Sequence, residues 1–204
     1  MNLFTRQGLT SLLFAVAVGL AAVGCRGDDN PSGGDSYNGG DNNGGVGGSV
    51  PLEKWMTKNL DVETADSWCY GDDPANCDKY GRLYTWEAAQ VACQSIGKRL
   101  PTNQEWDALL TAAGGSSTAG KKLKSTSGWN NNGNGTNDYG FSALPAGLRY
   151  SHGGFGTAGD FGFWWTATED GSKAYYRTMY SNYDYVYVLS LVKSNAVSAR
   201  CVAD

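Results

Sequence analysis

Residues 85–106 read TWEAAQVACQSIGKRLPTNQEW, and this stretch decides the fold. Thr85 has the chemistry of an N-cap, and Trp86, Ala89, Cys93 and Ile96 follow at helical spacing until Gly97 stops the run. A second start comes almost at once. Thr102-Asn103-Gln104-Glu105 is a capping box, in which Thr and Glu each satisfy a backbone N–H that the first turn leaves unpaired. Pro101 restrains the backbone just before it. Trp106, Leu109, Leu110 and Ala113 give this second helix a buried face, and Gly114-Gly115 end it. Two amphipathic helices are therefore expected.

Beyond Gly128 the period changes. Short aromatic and β-branched runs at 163–168, 174–180, 185–191 and 196–202 are separated by turn-forming residues at 169–171, 181–184 and 193–195. That pattern predicts a small antiparallel meander, and helices followed by strands define an α+β domain. Of the adjacent Trp164 and Trp165, one is expected in the core and one partly buried, because strand neighbours face opposite sides.

Upstream, the chain opens with segments of a different kind. Arg6 precedes the apolar run LTSLLFAVAVGLAAVG at 9–24, which is short for a membrane span of about 20 apolar residues. It ends in Ala22-Val23-Gly24-Cys25, which resembles the lipobox of bacterial lipoproteins. The alternative is a cleaved secretory signal with an incidental Cys. Residues 1–24 are thus read as a lipoprotein signal peptide and Cys25 as the lipidated residue. Residues 26–50 read RGDDNPSGGDSYNGGDNNGGVGGSV and have too little apolar surface to offset the entropy of ordering. Residues 25–50 are expected to be the anchor and its tether, with an r.m.s. span of roughly 25–30 Å. Asp28-Asp29 resembles an acidic surface-export signal. The predicted location is the outer membrane, lipid-anchored, on the cell surface. One domain remains, 51–204, and a monomer is the expected state.

Composition narrows the partners. The 204 residues carry a net charge of −4, against the basic face that nucleic acid requires. Besides Cys25 there are four cysteines, Cys69, Cys77, Cys93 and Cys201, which in an exported chain suggest two disulfides and allow three pairings. Cys69 and Cys77 bracket a Gly-Asp-Asp-Pro turn, so a local bridge between them is natural and leaves Cys93 for Cys201. With one His and no Cys-x-x-Cys, a zinc site is not expected.

Several motifs together resemble the Fibrobacter succinogenes major paralogous domain. They are WMTKNL at 55–60, WCY at 68–70, YGRLYTW at 80–86, RLPT at 99–102 with Glu105-Trp106, GFSALPAG at 140–147, WWTATE at 164–169 and SARCV at 198–202. The resemblance covers essentially everything from Pro51 onward and implies an exported or lipid-anchored protein. More distantly, Thr85 through Cys93, Leu100 and Cys201 are similar to the C-type lectin-like fold, and 97–106 to formylglycine-generating enzymes. That likeness implies a disulfide-stapled C-type lectin-like domain with two helices and a small antiparallel sheet. Neither the sugar-and-calcium motifs of lectins nor the catalytic Cys pair of the oxidising enzymes is present.

The candidate chemistry is correspondingly modest. His152 in Ser151-His152-Gly153-Gly154 has no nucleophile elbow or oxyanion motif around it and reads as a loop residue. Residues 130–138 (NNNGNGTND) are oxygen-rich. Asn137 and Asp138 are weak Ca²⁺ candidates there, although a solvated loop with left-handed Asn and Gly explains the stretch better. The most suggestive run holds Tyr175, Arg177, Tyr183, Tyr185 and Tyr187, since Tyr gives large contact area at low entropy cost. Alternating Tyr is also ordinary strand composition. The expectation is a non-enzymatic, surface-displayed lipoprotein that binds a glycan or protein ligand or mediates adhesion. The alternatives are an enzyme acting on envelope or plant-wall polysaccharide and a structural envelope protein.

Overall fold

The computed structural model describes residues 51–204. The segments expected to be a signal peptide, a lipidated Cys25 and a tether lie outside the described residues. The described residues form four α-helices, a six-stranded sheet and a two-stranded sheet. The helices are α1 (Pro74–Tyr80), α2 (Trp86–Ser95), α3 (Asn103–Ala112) and α4 (Ser116–Leu123). The strands are β1 (Ser67–Trp68), β2 (Leu83–Tyr84), β3 (Leu148–Arg149), β4 (Phe155–Gly156), β5 (Phe161–Asp170), β6 (Lys173–Tyr180), β7 (Val186–Val192) and β8 (Val197–Ser198).

The two expected helices are present with the expected caps. Thr85 accepts from the Ala88 N–H, and Thr102 and Glu105 close the capping box on α3. Ile96 departs from its expected buried stripe. It is the C-cap of α2 and is 39% exposed, because the helix ends before that face returns to the sheet. Two further helices went unread in the sequence. For α1 the signal lay inside the presumed turn: Asp73 caps it by accepting from the Ala75 N–H at 3.0 Å, and Pro74 occupies the first helical position. The N-cap of α4 is Gly115 at φ 93°, with no side-chain cap, so nothing local announces it.

The large sheet runs β1-β2-β8-β5-β6-β7. It is mixed rather than the expected antiparallel meander. The last strand does not continue from β7 but enters the centre, antiparallel to β2 and parallel to β5 through Trp164 and Ser198. Burial accords with this position. Residues 195–202 are all buried, as befits a segment paired on both sides and covered on both faces.

Both faces of β5 are covered. Phe163 and Trp165 pack with Ala89, Ala92 and Cys93 of α2. Trp164 points the other way and packs with Trp106 and Leu110 of α3 and Leu123 of α4. Trp164 and Trp165 are therefore both fully buried, where one was expected to be only partly so. Truncating either would cost about 3–5 kcal/mol. The two bridges join Cys69 to Cys77 and Cys93 to Cys201. The second ties α2 to the chain just beyond β8.

Arg200 links three segments inside the core. Its guanidinium donates to the carbonyls of Met56 (3.0 Å) and Phe141 and to Asn59 Oδ1 (2.8 Å), and Trp164 Nε1 donates to the same Asn59 oxygen at 2.9 Å. Complete burial brings its pKa down to about 9.

Candidate functional site

The period of two along β6 sorts the Tyr/Arg run into two groups. Odd positions share the face of Trp164, and even positions share that of Trp165, as the pairs Trp164↔Arg177 and Trp165↔Tyr176 require. Arg177 consequently points under α3. It is 3% exposed and donates to the Asn103 carbonyl at 3.0 Å while pairing with Asp107 at 3.0 Å. Burial lowers its pKa from the ordinary value, against the opposing charge of Asp107. The expectation of an exposed Arg177 is thus corrected: it ties β6 to α3. Tyr175 lies on the same side, half-buried, opposite Ser190.

The tyrosines at the other end of the run come together. Tyr183 is 52% and Tyr185 40% exposed, and Tyr187 is half-buried. Tyr185 and Tyr187 have ring centroids 4.5 Å apart, Tyr187 stacks on Tyr180 at 4.9 Å, and Tyr180 meets Phe161 at 4.5 Å. Tyr183 joins at 6.1 Å from Tyr180. A continuous aromatic ladder therefore crosses β7, β6 and β5, open at its Tyr183/Tyr185 end. Phe161 and Tyr180 were not in the candidate set. Their pairing across β5 and β6 was the missing signal, and it depends on the register Phe161↔Tyr180. Burial raises the pKa of the Tyr180 phenol above its ordinary value, with Tyr187 adding to the shift.

Behind Tyr185, on the α3 side, a cleft of about 340 Å³ is lined by Asp107, Thr111, Ser116, Arg177, Tyr185 and Val188 among others. It combines an aromatic wall, two hydroxyls and an ion pair. Of the candidates, Arg177 and Tyr185 meet here, and Tyr183, Tyr185 and Tyr187 meet on the ladder.

The loop that carries Tyr183 is held from beneath. Lys124, 1% exposed, donates its ammonium protons to the carbonyls of Tyr180 and Tyr183 and lies 3.8 Å from Asp184. Burial draws its pKa below the ordinary value, partly countered by Asp184. The Gly120 N–H donates to the Asp184 carbonyl at 2.8 Å, and a Cβ on Gly120 would stand 2.5 Å from that oxygen. Gly133 approaches the Ser181 carbonyl just as closely, where a Cβ would stand at 2.1 Å.

This packing also accounts for residues 130–138. Asn131, Asn132 and Asn137 all have φ near +55°. Asn137 spends both ends of its carboxamide on Ser142, accepting from its N–H at 2.6 Å and donating to its hydroxyl at 2.8 Å. Asp138 is exposed beside it. Among the described residues no group of three or more His, Cys, Asp or Glu is arranged to hold a metal ion. His152 is exposed, and its ring stacks on Tyr150 at 5.3 Å.

No curated protein and no solved structure matches the chain. The family model of the Fibrobacter succinogenes major domain matches residues 50–203, the whole of the segment whose motifs were set out above. The chain belongs to the Fibrobacter succinogenes major domain family.

Proposed function

We propose that the protein is a non-catalytic ligand-binding or adhesion lipoprotein, displayed on the outer membrane through lipid on Cys25. Its contact surface is the open end of the aromatic ladder. The observation that carries this reading is the exposure of Tyr183 and Tyr185 at the end of a chain of ring contacts reaching Phe161. Isolated exposed aromatics are common, but a rigid row with one open end offers flat apolar faces and phenol hydroxyls together. Such a surface stacks on sugar rings or fills the centre of a protein interface. The cleft behind Tyr185 supplies the polar contacts that orient a bound group.

The same reading takes the domain as C-type lectin-like. The helix-to-last-strand bridge Cys93–Cys201 supports it, as does the closure of the two ends of the domain through Trp55 and Val202. Probing a glycan and protein array with the full chain tests the function, with Tyr183→Ala as the control. Capture that is equal for both proteins overturns the assignment of the surface. Absence of labelled fatty acid on the wild-type chain in its native host overturns the anchor.

A further inference from the structure

Strand β7 is the edge of the large sheet, and it lacks the features that normally keep an edge unpaired. Its seven residues, VYVLSLV, contain no charge and no Pro. It pairs with β6 without a break from Lys173↔Val192 to Met179↔Val186, so no bulge turns it away. Natural edge strands are usually short, charged or bulged, because their free N–H and C=O groups template another strand. Beyond Val186, which is 1% exposed and packs in the cluster with Ala119 and Leu123 of α4, both faces of the edge also carry open apolar groups. Val188 (45% exposed) and Val192 (47%) lie on one side and Leu189 (44%) on the other. A ligand resting on one face would not account for both.

We propose that β7 joins a second copy of this chain, antiparallel along Val186–Val192, so that two sheets become one continuous sheet. Outward-facing peptide groups alternate along a strand, so an antiparallel copy pairs only residues of equal parity and the two-fold passes through a residue. Placed on Leu189, it sets Tyr187 of one copy opposite Leu191 of the other, Val186 opposite Val192 and Val188 opposite Ser190. Every large apolar group of the edge then meets a same-face neighbour. The ends give the direction. Asp184 precedes the strand and Lys193 follows it, so antiparallel copies bring opposite charges diagonally together, where parallel copies would align like charges. Each charge already has a partner within its own copy, Lys124 and Glu169 respectively, so the ends select orientation more than they add affinity. A single seven-residue strand pair falls at the low end of specific interfaces, under about 1,200 Å². The dimer is reversible and concentration-dependent, in contrast to the monomer expected from the sequence. Its argument does not rest on the ligand reading, although Tyr187 of the ladder and Val188 of the cleft adjoin the second copy in this register.

The test uses the full chain carrying Cys25→Ser, which removes the thiol outside the two bridges. Sedimentation velocity across a concentration series is expected to show a monomer–dimer equilibrium, with Val188→Lys weakening it at least tenfold. Directly opposed residues have Cβ atoms about 4.5–5.5 Å apart, so Leu189→Cys crosslinks to itself under mild oxidation. Val192→Cys, which faces Val186 in this register, does not. The crosslink reads out pairing even if Val188→Lys perturbs folding. A monomer at every concentration overturns the proposal, as does equal crosslinking of Leu189→Cys and Val192→Cys. So does a chain that stays monomeric and instead pairs an uncharged extended peptide along the same edge. Tyr183→Ala lies outside the strand and leaves the sedimentation unchanged, so failure of the ligand surface and failure of the dimer are read separately.

Discussion

The Lys124 ammonium lies 3.0 Å from the carbonyl oxygen of Tyr183, joining the C-cap of α4 to the turn that carries the most exposed tyrosine of the ladder. It also donates to Tyr180 at 3.2 Å, so one buried cation spans both ends of the turn. Lys124→Met keeps the length of the side chain and removes the donors. Two carbonyls then lose a partner, at a cost of about 1–3 kcal/mol. Hydrogen exchange is expected to rise at residues 181–184 and remain unchanged in β5 and β8. A uniform rise across the domain would show that Lys124 serves global stability alone.

The double substitution of Tyr183 and Tyr185 by Ala separates surface from core. Tyr183 is 52% and Tyr185 40% exposed, so the stability change should stay within about 0.5 kcal/mol per site. Binding to an array-identified ligand should fall by a factor of about thirty or more, the loss typical of a hot-spot residue. Tyr180→Ala behaves differently, because its ring touches Phe161, Tyr183 and Tyr187 and its removal disorders the ladder. Equal destabilisation by the double variant and by Tyr180→Ala would identify the run as core.

The bridges differ in what they hold. Cys93–Cys201 closes a separation of 108 residues and Cys69–Cys77 one of 8. On the chain-entropy account these contribute about 5 and about 2.5 kcal/mol respectively. Denaturant unfolding of Cys93→Ala with Cys201→Ala, compared with Cys69→Ala with Cys77→Ala, measures the difference. The long bridge should prove the more costly to lose, and the reverse order would show that strain or native contacts outweigh loop entropy.

Glu105 makes the acid limb of stability readable. Burial alone would raise its carboxyl, but hydrogen bonds from the Arg99 guanidinium at 2.6 and 2.8 Å and from the Thr102 N–H bring it below its ordinary value. The unfolded chain therefore takes up this proton first as pH falls. The contribution is complete above the ordinary value of 4.5 and is lost as pH drops through the lower folded value. Glu105→Gln retains a side chain suited to the capping box and removes the charge. Its melting temperature should lie below wild type at neutral pH and converge with it in acid. Parallel curves would exclude the linkage.

Helices α2 and α3 were legible because caps and apolar spacing are local: Thr85, Thr102 and Glu105 act within one turn of themselves. The strand runs were legible for the same reason, through alternation and turn residues. Helix α1 was legible in principle at Asp73-Pro74, a pair that serves a turn and a helix start equally well. Helix α4 was not. Its cap is Gly115, and its Gly120 is explained only by the Asp184 carbonyl 64 positions later.

What the sequence determined by itself was therefore helices α2 and α3, the later strand runs, the family and the cysteines available for the two staples. Tertiary structure alone decided which strand lies at the centre and which side chains are open. The 195–202 segment, paired on both sides and covered on both faces, takes the middle, which leaves β7 at the edge. Arg177 and Tyr183 have the same standing in the sequence, six positions apart in one polar-aromatic run. They end in opposite environments because α3 covers one side of β6, while the Tyr183 turn projects beyond the strand into solvent. No periodicity along the chain carries that information, because burial is set by what another segment brings to the face.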